Sequence, residues 1–182
     1  MIKLGVISDT HIPDRSRRLN ERVIPVFREA GVSAILHAGD VSTSRVLRQL
    51  EEVAPVYATR GNRDWVLLRH LPPSIQLKFN GVTIGITHGH GQLRDYLTDR
   101  VKYMMGGYRL ELFEPRLLAT FPEARVIIFG HTHRILNQWS NGHLLFNPGS
   151  CQIPDLTAAS PSVGLLTIHQ SGVIEGEIIF LE

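Results

Sequence analysis

The stretch Lys3-Leu4-Gly5-Val6-Ile7-Ser8-Asp9-Thr10-His11 decides the fold. A short, mostly apolar run stops at a polar turn. The chain then passes Pro13 into a helix-like stretch around Leu19 to Glu29, where Pro25 predicts a kink. This reads as strand, loop, helix, and the unit recurs. Ala34-Ile35-Leu36-His37 is a short buried strand broken by Gly39-Asp40, after which Ser42 or Thr43 caps a helix with Val46 and Leu50 on one face. Val56 to Thr59 makes a third strand, closed by Gly61-Asn62. Strands alternating with helices predict a largely parallel sheet whose binding site lies beyond the strand carboxyl ends, where these polar motifs fall.

After Pro72-Pro73 the pattern changes. Ile75 to Phe79 and Val82 to Thr87 flank Asn80-Gly81, a strong two-residue hairpin signal. Helical stretches from Leu93 to Met105 and Leu110 to Thr120 follow, separated by Gly106-Gly107, and then a buried strand from Arg125 to Phe129. Ile135 to Trp139 with His143 to Phe146, and Val163 to Ile168 with Gly172 to Phe180, read as antiparallel strands. With no internal linker or repeat, the expectation is one domain over residues 1–182, an α/β fold of two packed mixed β-sheets flanked by helices, the αββα sandwich.

Composition sets the function classes. A chain of 182 residues, 43% hydrophobic and 20% charged, buries a core without staples, and its single cysteine, Cys151, excludes both a disulfide framework and a thiolate metal site. Cys151 reads as a small core residue. The apolar run Leu4 to Ile7 leaves no room for a signal peptide and no later run could span a bilayer, so the expectation is a cytoplasmic protein with no membrane partner. A net charge of +2 does not supply the basic stripe that a nucleic-acid polymer requires.

Nine histidines matter more. Five polar motifs interrupt apolar strands: Asp9-Thr10-His11, Gly39-Asp40, Gly61-Asn62-Arg63-Asp64, His88-Gly89-His90 and Gly130-His131-Thr132-His133. Residues two apart at an extended strand end point the same way, so Asp9 with His11, and His131 with His133, can each grip an ion together. Carboxylate, amide oxygen and imidazole without thiolate suit Mn, Fe, Zn, Ni or Co better than an all-oxygen Mg or Ca cage.

In order and wording these motifs resemble the calcineurin-like metallophosphoesterase superfamily, and within it the small bacterial and archaeal phosphodiesterases of the YfcE type. The resemblance runs along nearly the whole chain and includes Asn147-Pro148-Gly149-Ser150. It implies the metallo-dependent phosphatase fold and two divalent metal ions, with Mn²⁺ placed first. One ion would be held by Asp9, His11, Asp40 and His133, the other by Asp40, Asn62, His88 and His131, with Asp40 as the bridge and ~3.5–4 Å between the ions. Two such ions bring +4 against the −2 of Asp9 and Asp40. The surplus attracts phosphate and lowers the pKa of a bound water toward about 7, giving a hydroxide that attacks a small-molecule phosphate ester. The implied activity is that of a phosphodiesterase, with phosphomonoesterase activity as a close variant.

The departure from the family pattern is Arg63, where many larger superfamily phosphatases place a histidine thought to protonate the leaving group. Arginine keeps its proton, but it can bind a non-bridging phosphate oxygen in bidentate fashion. Either the ester's leaving group needs little protonation, or His90 supplies the proton. Asp64 orients His90 or Asn62, or else caps the stretch that starts near Trp65. His37 reads as a satisfied buried histidine, and His70, His143 and His169 as surface or structural residues. The segment Gln92 to Arg116 reads as an amphipathic helix pair packed on the sheet or on a second subunit, with a pocket-shaping role as the alternative. The rival function is a non-catalytic protein-binding scaffold, since a eukaryotic retromer subunit resembles the same fold put to that use. A DNA nuclease of the related repair type is disfavoured, because the chain lacks the extra domain those enzymes use to hold DNA.

Overall fold

The computed structural model describes residues 1–91, 98, 107, 109–152 and 160–181. Among the described residues, ten strands form two five-stranded mixed sheets. The first has the order β10-β9-β1-β2-β3, from β1 (Ile2–Ile7), β2 (Ala34–His37), β3 (Val56–Ala58), β9 (Ser162–Ile168) and β10 (Ile174–Phe180). The second has the order β4-β5-β6-β8-β7, from β4 (Ser74–Phe79), β5 (Val82–Thr87), β6 (Val126–Ile128), β7 (Leu136–Ser140) and β8 (His143–Asn147). Strands β1, β2 and β3 run parallel, as do β5, β6 and β8, while hairpin partners run antiparallel. Helices among the described residues include α1 (Val23–Ala30), α2 (Ser44–Glu51) and α3 (Glu114–Thr120).

Side-chain alternation turns these strands into layers. Leu4, Val6, Ala34 and Leu36 from the first sheet meet Ile84, Ile86, Val126, Ile128, Leu144 and Phe146 from the second in a central core. The opposite faces carry the helices. Ile7 and Ile35 pack with Val23 and Phe27 of α1 and Val46 and Leu50 of α2. Ile127 and Leu145 pack with Leu117 of α3 and its flanking Phe113 and Phe121. The expected αββα arrangement is therefore present, with an inter-sheet core and a helix-covered core on each side.

Local chemistry accounts for the boundaries. Asn80 and Gly81 both have positive φ, 46° and 81°, the requirement of the type I′ turn whose twist matches a hairpin. The cap of α2 is Thr43, whose side chain accepts from the Arg45 N–H, while Ser42 takes a left-handed backbone instead. The kink expected at Pro25 is absent. The helix starts at Val23, so Pro25 sits in its first turn, where no intrahelical N–H bond is lost. The helical stretch expected from Leu110 is divided: Leu110–Leu112 is a 3-10 turn and α3 begins at Glu114 with Pro115 in its first turn. The stretch from Leu93 to Met105 lies outside the described residues apart from Thr98, as do Tyr96, Tyr103 and Tyr108. Among the described residues, no helix is long and apolar enough to cross a membrane.

Candidate metal centre

Five loops converge where parallel strands end. Asp9 and His11 follow β1, Asp40 follows β2, Asn62 follows β3, His88 follows β5, and His131 and His133 follow β6. The first four residues belong to one sheet and the last three to the other, so the site straddles the seam between sheets. Backbone bonds register the loops: Asp9 N–H donates to Gly39 O (3.0 Å), His11 N–H to Asp40 O (3.1 Å) and Gly130 N–H to His88 O (3.3 Å).

The seven expected ligands fall into two abutting groups. In the first, His11 Nε2 lies 3.0 Å from His133 Nε2, His133 Nε2 lies 3.3 Å from Asp9 Oδ1, and His11 Nε2 lies 3.7 Å from Asp9 Oδ1. In the second, Asn62 Oδ1 lies 3.1 Å from both His88 Nε2 and His131 Nδ1, and His88 Nε2 lies 3.5 Å from Asp40 Oδ1. Asp40 faces both groups, because its Oδ2 is 3.8 Å from His11 Nδ1. Donor atoms bound to one ion at ~2.0–2.2 Å sit roughly 3–3.5 Å apart, so these separations fit a cation in each group. Among the described residues, Asp9 Oδ1, which faces both His11 Nε2 and His133 Nε2, is buried without a hydrogen-bond partner. Such an orphaned carboxylate oxygen is costly unless a cation satisfies it.

Electrostatics prepares the same atoms. Burial alone would raise the Asp9 and Asp40 carboxyls, but surrounding histidines outweigh it: His133, His88 and His11 hold Asp9 far below the carboxylate range, and His88 brings Asp40 to about 2. Burial depresses His11 to about 4 and His131 to about 3, leaving both neutral with lone pairs available at pH 7. His88 differs. Burial lowers it, yet Asp40 and Asp9 raise it to about 9, so without a cation it holds a proton there. Its Nδ1–H donates to Ala38 O at 2.8 Å, which aims Nε2 at the site.

Five of the seven ligands have left-handed backbone: Asp9 (φ 54°), His11 (48°), Asp40 (52°), His131 (69°) and His133 (54°). For non-glycine residues this costs of order 1 kcal/mol or more each. Close approach also fixes one glycine, since a Cβ on Gly61 would lie 2.1 Å from Asp40 Oδ1.

The remaining expected site residues surround this centre. Arg63 donates its backbone N–H to Asp40 Oδ1 (2.8 Å), and its guanidinium pairs with Asp14 at 3.1 Å and comes within 4.0 Å of Asp40. The His90 ring lies 5.3 Å from that of His88 and 6.1 Å from that of His131. Asp64 is fully buried, and its carboxylate accepts from the backbone N–H groups of Gly61 (2.7 Å), Ser42 (2.7 Å) and Val41 (3.3 Å). It therefore ties the Asp40 loop to the Asn62 loop. Behind the site, buried His37 meets the Thr10 hydroxyl at 3.4 Å through Nε2, while its Nδ1 has no hydrogen-bond partner. Cys151 is buried and its thiol is pushed well up by burial, as a core residue's should be.

Sequence reasoning assigned no role to a brace formed by Ser8, Asn147, Gly149 and Ser150. The Ser8 hydroxyl reaches Asp9 Oδ2 and Gly149 O, both at 2.8 Å, and Ser150 Oγ donates to Asp9 O at 2.9 Å. The Asn147 amide donates to Gly130 O (3.0 Å) and Thr132 Oγ1 (3.2 Å). Asn147 to Ser150 thus links the Asp9 loop of one sheet to the His131 loop of the other. Its motif was visible in the sequence, but its partners lie up to 141 positions away.

A two-sheet αββα frame with a carboxylate, amide and imidazole cluster at its seam defines the class of calcineurin-like metallophosphoesterases. The calcineurin-like phosphoesterase superfamily domain matches residues 2–171, and the chain belongs to that superfamily. It is 37% identical to a probable metallophosphoesterase of Methanothermobacter thermautotrophicus, over 97% of this chain and 91% of the relative. It is 29% identical to phosphodiesterase YfcE of Escherichia coli, over 85% of this chain and 82% of that protein. Among solved structures, wild-type Vps29 of Entamoeba histolytica complexed with zinc superposes with a TM-score of 0.73 at 21% identity, covering the whole of both chains. That likeness is one of fold.

Proposed function

We propose that the chain is a dinuclear metal-dependent phosphoesterase, acting first on phosphodiesters, with phosphomonoesters as the nearest variant. The carrying observation is that the donor atoms of Asp9, His11 and His133, and those of Asp9, Asp40 and His88, each lie together as a metal-ligand group, with buried Asp9 Oδ1 lacking a hydrogen-bond partner among the described residues. Asp9, His11, Asp40 and His133 would hold one divalent ion, and Asp40, Asn62, His88 and His131 the other. The donor set suits Mn²⁺, our first choice, as well as Fe, Zn, Ni or Co. When bound, such ions supply Lewis acidity toward a phosphoryl oxygen and acidify water.

The chain's own residues supply the rest. Arg63 has a side chain 40% exposed and still reaches Asp40, so its guanidinium stands at the mouth of the site, where it binds a non-bridging oxygen. His90 offers an imidazole beside His88 and His131. Asp64 acts as a positioning residue, keeping the Asp40 and Asn62 loops in register. The substrate is a small-molecule phosphate ester.

Turnover of bis(p-nitrophenyl) phosphate with added Mn²⁺, abolished by Asp40→Asn, is the expected result. A second reading, a protein-binding scaffold, draws on the Vps29 likeness and on Trp65, Val66 and Leu67, which are 55%, 81% and 67% exposed in one run beside Arg63. Absence of turnover with every metal above would favour it.

A further inference from the structure

We infer that a second anion-binding subsite flanks the proposed metal centre and holds a phosphoryl group of the substrate other than the one cleaved. This rests on the phosphoesterase reading. A cavity of about 250 Å³ opens between the segment after His11 and the start of α2, lined by Arg17, Arg18, Arg45 and Gln49 against an apolar wall that includes Ile12 and Val46. Among the described residues, no carboxylate lines it. Ile12 directly follows the ligand His11, and α2 follows the Asp40 loop through its Thr43 cap, so the cavity lies on the Asp9, His11 and Asp40 flank of the centre.

Charge makes the case for an anion. Among the described residues, the guanidinium groups of Arg17, Arg18 and Arg45 make no ion pair, whereas Arg63 is paired with Asp14. Three cations at one opening without a counter-charge raise the local positive potential, and each planar fork matches two oxygens of a phosphoryl group. The loop that carries two of them is fixed: the Ser16 hydroxyl donates to Arg18 O at 2.8 Å, and the Gln152 side-chain amide approaches the same carbonyl at 3.4 Å. Size narrows the ligand. Pockets that enclose a whole small molecule run from roughly 300 Å³ upward, so this one takes part of a larger ligand. The ligand class is a phosphate ester bearing a second phosphoryl group.

The test compares two matched esters, thymidine 5′-(p-nitrophenyl phosphate) and its 3′-phosphorylated form, on the wild type and on Arg17→Glu/Arg45→Glu. In the wild type, the added phosphate should lower KM by about tenfold, the worth of one charge-assisted contact. The double variant should lose that gain while kcat/KM for the unphosphorylated ester stays unchanged. Equal losses on both esters, or no loss on either, would overturn the subsite. Calorimetric titration of inorganic pyrophosphate into the EDTA-treated protein gives a readout without turnover. Binding that the double variant weakens by about tenfold supports the subsite even if both esters resist cleavage, which would count against the phosphoesterase reading alone. Binding equal in both proteins, or none in the wild type, refutes the subsite. Pyrophosphate binding without discrimination between the two esters would assign the cavity to a free anion and overturn the substrate role.

Discussion

His90 is depressed to about 4, first by burial and then by the positive charge of neighbouring His88. In the metal-free protein it is uncharged at neutral pH, and bound cations would depress it further, so it offers the ester a hydrogen bond and not the proton of an imidazolium. Arg63, always protonated, is no better as an acid. Between the two alternatives left by the sequence, this favours esters whose leaving groups need little protonation. His90→Asn should therefore lower kcat/KM by roughly tenfold, about one hydrogen bond's worth, for aryl and alkyl leaving groups alike. A far larger penalty on the alkyl ester would establish His90 as the general acid and refute this assignment.

At the scale of elements, the ligand loops hold one another directly. Asp64 accepts three backbone N–H groups from two loops. Asp64→Asn presents an amide that matches those donors poorly, and each unmet buried donor costs about 1–3 kcal/mol. The expected outcome is a lower Tm and weaker metal binding in calorimetry, with the secondary-structure signal in circular dichroism unchanged; wild-type metal affinity would remove Asp64 from the site. Orienting Asn62, one of the roles expected of Asp64, lies close to this one, but the link to the Asp40 loop was not foreseen, and the reason is physical. A carboxylate cradled by residues 22 and 23 positions away leaves no mark on local periodicity. Features with a local cause were legible: the Asn80-Gly81 turn, the Thr43 cap, and ligand motifs at strand ends. The cross-sheet brace from Asn147 to Ser150 was legible only as a motif, and the helix around Pro25 was misjudged because its start, which decides whether proline disrupts it, is weakly encoded.

Across the whole molecule, the proposed ligands come from both sheets, so two ions would act as cross-links and their binding energy would add to folding stability. In the metal-free protein, pH should expose what the ions replace. His11, His37, His90 and His131 have folded pKa values of about 4, 3, 4 and 3, below the ordinary 6.5, so the unfolded chain binds more protons there and stability should rise with pH up to about 6.5. His88 is raised to about 9, so its contribution is present below about 6.5 and is lost as pH climbs through 9. Melting in EDTA should peak near pH 6.5, and Mn²⁺ should raise Tm and flatten the alkaline fall; a monotonic EDTA profile would contradict these shifts. The left-handed ligand backbones carry this to a different conclusion. His131→Gly should be more stable than His131→Ala by about 1 kcal/mol in urea titration, because glycine adopts that conformation freely, and equal stability would deny any strain at the site. The proposed ions would then be held against a standing mechanical tension in the five ligand backbones, which their binding energy would offset.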